Sequence, residues 1–160
     1  GIHSNGFSLI RYMLKKKKIN INRFDSTDIN LKKAILHPTK IYVKEILNLI
    51  NDDLINGCAN ITGGGLFDNL SRTLPKKLQA NIYLDKIKVL KIFKWLKSQK
   101  ISEKEMLKTF NCGVGFCLVA NKKNVEKIKG FFPSRYKPYI IGYITKGGKK
   151  IKKYGKINWS

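Results

Sequence analysis

The sequence predicts an α/β or α+β domain in which helices cover a mixed β-sheet, and three observations predict it. Several segments carry apolar residues at helical spacing, and others alternate or run apolar over strand length. The two kinds intermix without a strict strand–helix alternation. With 160 residues and 42% hydrophobic content there is enough material for one domain with a real core.

Phe7 to Lys18 places Phe7, Leu9, Ile10, Met13 and Leu14 at helical spacing and ends in four lysines suited to a helix carboxyl terminus. Ser4 or Asn5 is positioned to cap its start. Residues 19–30 are polar and aperiodic, a loop. Leu31 to Leu36 reads as a short helix stopping before Pro38. Thr39 to Ile50 is the clearest helical pattern, with Ile41, Ile46, Leu49 and Ile50 as its buried stripe. Gly57 to Ile61 is a short strand, and Leu66, Phe67 and Leu70 open a helix that ends near Pro75. Leu78 to Leu84 alternates as a half-buried strand. Val89 to Leu96 is an amphipathic helix on which Trp95 reads as packing. Ser102-Glu103-Lys104-Glu105 has the form of a capping box, launching a helix through Met106, Leu107 and Phe110. Gly113 to Ala120 is an apolar run expected to be a central strand. Asn124 to Phe132 is a further helix, and 137–145 with 149–157 are expected to pair as a hairpin about Gly147-Gly148.

The cysteines, Cys58, Cys112 and Cys117, are odd in number and contain no Cys-x-x-Cys pair. That usage suits a reducing, cytoplasmic compartment and argues against a disulfide framework or a zinc site. Neither a signal peptide nor an apolar run of membrane length is visible. The opening at Gly1 has no targeting character, so a carboxy-terminal piece of a longer protein is expected. The net charge of +23 invites a nucleic-acid reading. However, 29 of the 33 basic residues are lysines, spread over the whole length. Arginine is the better residue for bidentate recognition, so solvated lysine faces are the simpler account.

The chemistry concentrates at Asn60-Ile61-Thr62-Gly63-Gly64-Gly65-Leu66-Phe67-Asp68-Asn69-Leu70. Three glycines sit where a strand turns into a helix. The first N–H groups of a helix have no internal partner, and the macrodipole makes that end positive. Glycines let an anion approach the backbone, and the Thr62 hydroxyl is expected as a further donor. A phosphate or phosphoryl site is the leading reading, although the run is neither a Walker loop nor a dinucleotide fingerprint. Glycines supplying positive φ to an ordinary tight turn are the alternative.

Four stretches then appear in register: His3-Ser4-Asn5-Gly6-Phe7-Ser8-Leu9, Pro38-Thr39-Lys40-Ile41-Tyr42-Val43-Lys44, Ile61-Thr62-Gly63-Gly64-Gly65, and Thr109-Phe110-Asn111-Cys112-Gly113-Val114-Gly115 after Glu105-Met106. The succession resembles the aminoimidazole ribonucleotide synthetases, also called phosphoribosylformylglycinamidine cyclo-ligases, and thins after about Ala120. The resemblance implies an ATP- and Mg2+-dependent enzyme of purine biosynthesis. It would phosphorylate the formyl oxygen of formylglycinamidine ribonucleotide and close the imidazole ring, releasing ADP and phosphate. It covers the second of the family's two domains, so residues 1–160 are expected to form that single domain. The first domain, lying outside this chain, would supply acidic metal ligands, much of the nucleotide site and a homodimer interface. The isolated piece would then be inactive, with its metal ligands elsewhere. Asp52-Asp53 at a helix end is expected to cap or to be solvated.

Carried over residue by residue, the resemblance makes His3 a candidate acid or base and Asn5 a contact to substrate or phosphoryl. Read alone, a histidine before a helix is a surface or capping residue. Thr62, Gly63, Gly64 and Gly65 would hold phosphate. Asn111 and Gly113 would shape the cleft or simply make a turn. Asn60 stands where the family usually has a histidine, and asparagine cannot move a proton near neutrality. If that histidine is catalytic a slower enzyme follows; if it only positions substrate, little changes. Rival readings are a selenophosphate synthetase-like or other relative sharing this domain, or a basic nucleic-acid-binding module. Small-molecule nucleotides, rather than a specific nucleic acid or a membrane, are the expected partners.

Overall fold

A computed structural model describes residues 1–22 and 29–160. Its helices are α1 (Phe7–Lys16), α2 (Leu31–Ile35), α3 (Val43–Asn51), α4 (Gly65–Thr73), α5 (Lys91–Ser98), α6 (Glu103–Thr109) and α7 (Val125–Gly130). Its strands are β1 (Gly57–Asn60), β2 (Leu78–Tyr83), β3 (Phe116–Val119), β4 (Gly142–Lys146) and β5 (Ile151–Tyr154). The expected α+β class is therefore present, with the strands divided between two sheets. The loop expected over 19–30 lies partly outside the described residues. Among those described, no helix is long and apolar enough to cross a membrane.

Antiparallel β1 and β3 form a two-stranded ladder, with Ala59 opposite Cys117 and Cys58 opposite Leu118. Alternation sends Ala59 and Cys117 into one hydrophobic cluster, beneath α4, and Cys58, Phe116 and Leu118 into another, with Ile46, Leu49 and Ile128 of α3 and α7. The apolar run at 113–120 is thus one of two strands and not a central one. Its first residues are spent on a turn, where Cys112 (φ 50°) and Gly113 (φ 108°) leave the extended region.

The second sheet has the order β4-β2-β5, antiparallel on one side and parallel on the other. The expected hairpin does not form, because β2 lies between the two strands that would have paired. The Gly147-Gly148 link crosses the end of β2, where the Gly147 N–H donates to the Lys77 carbonyl at 3.1 Å. Four residues easily span the two strand spacings, about 10 Å, that this crossing requires.

A third cluster packs α1, α2, α5 and α6 around Ile10, Leu31, Phe93, Leu96, Met106 and Phe110. Trp95 is buried there, as packing. Gly6, not Ser4 or Asn5, caps α1, without a side-chain bond. The capping box at α6 is half made: Ser102 accepts from the Glu105 N–H at 3.2 Å, whereas the Glu105 carboxylate is used by the Thr109 hydroxyl. On α3 the stripe is narrower than expected. Ile46 and Leu49 are buried, but Ile41 is 78% and Ile50 51% exposed, because the helix begins only at Val43 and Ile50 lies on its outer side. Asp52, at the end of α3, is exposed and faces Lys127 at 3.4 Å.

Candidate functional site

β1 brings the chain to Asn60, exposed at the end of the ladder opposite Phe116. Buried Ile61 anchors the exit, its N–H donating to the Gly115 carbonyl at 3.0 Å. Thr62 and Gly63 are then exposed, and Gly64 (φ 93°) and Gly65 (φ 67°) turn the backbone into α4. The Gly65 N–H closes this turn by donating to the Thr62 carbonyl at 3.1 Å. Among the described residues, the N–H groups of Gly63 and Gly64 find no acceptor in the chain. They stand just before the positive end of a nine-residue helix.

Asn69 holds the turn in shape. Its Nδ2 donates to the Gly65 carbonyl at 2.8 Å and the Gly63 carbonyl at 3.1 Å, and its Oδ1 accepts from the Thr62 hydroxyl at 3.2 Å. The Thr62 hydroxyl expected to be a free donor is therefore engaged. Sequence reasoning passed over Asn69, yet a signal was present: it shares a helix face with buried Leu66 and Leu70, where a polar side chain has to find partners.

The opening tetrapeptide lies beside this turn because both are pressed onto the end of α6. Gly6 (φ 83°) leaves no space for a Cβ against the Phe110 ring, and Gly65 leaves none against the Leu107 carbonyl. Asn5 consequently faces the turn, its Oδ1 3.3 Å from where a Cβ on Gly63 would lie. His3 (φ 61°) adjoins Gly115 and Tyr42, with ring centroids 6.3 Å apart. Asn111 is buried in the wall, its Nδ2 bonded to the Gly1 carbonyl at 3.2 Å and its Oδ1 to the Gly113 N–H at 2.8 Å. The Asn60 side chain has no hydrogen-bond partner among the described residues. Asn5 thus meets the glycine turn at Gly63, His3 lies against Gly115, whose carbonyl accepts from Ile61 just before the turn, and Asn111 ties Gly1 to Gly113.

Burial lowers the pKa of His3, and the positive charge of His37 acts in the same direction. The imidazole is therefore neutral at pH 7, with one ring nitrogen able to accept a proton. Cys112 and Cys117 are pushed up to about 12 by burial and remain inert thiols. Asp68 flanks Gly64, and its negative charge is partly offset by Arg72 at 3.5 Å. Among the described residues no three His, Cys, Asp or Glu side chains converge.

The turn is an open surface. Two shallow concavities lie elsewhere, one of about 410 Å³ beside His37 and Pro38 and one of about 360 Å³ beside Tyr139 and Lys88. The fold and this turn define a class: an α+β domain with an exposed strand–glycine–helix turn whose Gly63 and Gly64 amides have no acceptor among the described residues.

The chain belongs to the family described as AIR synthase related protein, C-terminal domain, whose model matches residues 1–154. It is 43% identical over 151 residues to a phosphoribosylformylglycinamidine cyclo-ligase of Fusobacterium nucleatum, covering 92% of this chain and 44% of the relative. A chloroplastic/mitochondrial phosphoribosylformylglycinamidine cyclo-ligase of Vigna unguiculata is 40% identical over 149 residues, with 92% and 38% covered. The trifunctional purine biosynthetic protein adenosine-3 of Chironomus tentans is 40% identical over 149 residues, covering 90% of this chain and 11% of that protein. The chain spans less than half the length of these relatives.

Proposed function

We propose that this chain is the carboxy-terminal part of an ATP-dependent phosphoribosylformylglycinamidine cyclo-ligase. In this reading Gly63 and Gly64 donate their amides to phosphoryl oxygen as the formyl oxygen of formylglycinamidine ribonucleotide is activated, stabilising charge as it develops. Asn5 orients the substrate across the turn, and neutral His3 accepts or returns a proton at the closing ring. Asn111 keeps the supporting wall in place, and Asn60 at the rim positions substrate without transferring a proton. The open surface calls for a second surface to exclude water. An amino-terminal domain would supply it, together with the magnesium ligands and a homodimer interface, and the isolated chain would then be inactive. The names of the relatives favour this reading over a selenophosphate synthetase-like one.

The observation that carries the proposal is the pair of spare amides at Gly63 and Gly64, with Asn5 beside Gly63. Titration of the chain with ATP, and separately with inorganic phosphate, followed by amide NMR, tests it. Saturable shifts centred on Gly63 and Gly64 are expected. Resonances there that stay still while lysine-rich surfaces respond would overturn it.

A further inference from the structure

The imidazole of His3 has two close neighbours, Gly115 and Tyr42. Gly115 faces it so closely that a Cβ there would lie 2.5 Å from Cε1 and would also meet the Tyr42 hydroxyl. Tyr42 reaches the same point, its ring tilted 59° to the imidazole with centroids 6.3 Å apart. Tyr42 is itself fixed, packed on Phe116 with centroids 5.0 Å apart and carrying the Lys40 ammonium 5.3 Å from its ring centroid. That ammonium pairs with Glu45 at 2.7 Å, and both side chains are mostly buried. The backbone of His3 is in the left-handed region, which a non-glycine residue keeps only where its surroundings over-determine it.

We propose that Tyr42, backed by the Lys40–Glu45 pair and admitted by the missing side chain of Gly115, is a positioning residue that holds the His3 imidazole in one orientation. Its catalytic meaning rests on the reading above, but the clamp itself does not. Lys40, which also lies 4.6 Å from the Tyr136 ring centroid, was not among the residues the resemblance assigned to the site and joins it through Tyr42. The charged side chain acting on His3 is His37, which disfavours its protonation.

The chain has two histidines, so NMR of the His Cε1–H groups, assigned with His37→Gln, follows His3 directly. In the wild type, His3 is expected to titrate below 6.5, with its Cε1–H shifted by the Tyr42 ring. Because its folded pKa lies below the unfolded value, this group favours folding above the unfolded pKa and loses that contribution as pH falls. Tyr42→Ala should raise the titration midpoint toward 6.5 and remove the ring shift, and Tyr42→Phe should restore both. Gly115→Ala should displace the Cε1–H resonance. Should Gly115→Ala fail to fold by circular dichroism, the Tyr42 pair decides alone. A midpoint and ring shift unmoved by Tyr42→Ala would overturn the clamp. If both move as expected while ATP leaves Gly63 and Gly64 unperturbed, the clamp stands and the proposed function falls.

Discussion

Two glycine-rich turns in this chain make an informative pair. At Thr62–Gly65, two glycines adopt positive φ, Gly65 is packed against the Leu107 carbonyl, and Asn69 ties the turn to its helix. At Gly147-Gly148 neither glycine has positive φ. Gly147 meets only the flexible Gln79 side chain, and a Cβ on Gly148 would have nothing within 4 Å. The composition of the two turns is similar, but their physics is not. At the first, glycine is required by backbone angle and by close approach, and two amides, at Gly63 and Gly64, are left over, with Asn5 beside Gly63. At the second, glycine merely permits a crossing that other residues could make.

Substitutions can break or sharpen this contrast. The largest effect is expected for Gly65→Ala, which adds a Cβ in the left-handed region against backbone that cannot yield. A loss of roughly 2–4 kcal/mol, measured from the urea midpoint, is expected. Asn69→Ala comes next. It leaves turn carbonyls and the Thr62 hydroxyl without their partner, for a loss of about 1–3 kcal/mol. It should also blunt the response of the Gly63 and Gly64 amides to ATP, and an unchanged response would show that the turn holds its shape without Asn69. Gly148→Ala should be smallest, within about 0.5 kcal/mol of wild type. A loss there matching Gly65→Ala would erase the distinction.

Much of this was legible beforehand, and the failures are instructive. The helices near 7–16, 91–98 and 103–109 follow from apolar spacing, a pattern that one helix carries within itself. The glycine turn was placed correctly between strand and helix. The hairpin was misread because alternation and Gly-Gly are equally compatible with two strands pairing and with two strands flanking a third. The stripe expected on α3 is too wide, since Ile41 and Ile50 are apolar yet exposed among the described residues. At the site, the strand-to-helix pattern supplied the glycines and the resemblance supplied His3 and Asn5, whereas the parts played by Asn69 and Tyr42 were missed. Their roles lie in contacts across the turn and across 39 residues of chain, which periodicity does not register.

The amino-acid sequence by itself determined the class of fold, the identity of most helices and the bend where backbone amides are left over, because each depends on local spacing and on glycine's freedom at φ. Only the tertiary structure decided that the opening tetrapeptide would lie against that bend. Two glycines far apart in the chain are each packed onto the end of α6, and close packing at those points, not any pattern along the chain, brings Asn5 to Gly63 and His3 to Gly115.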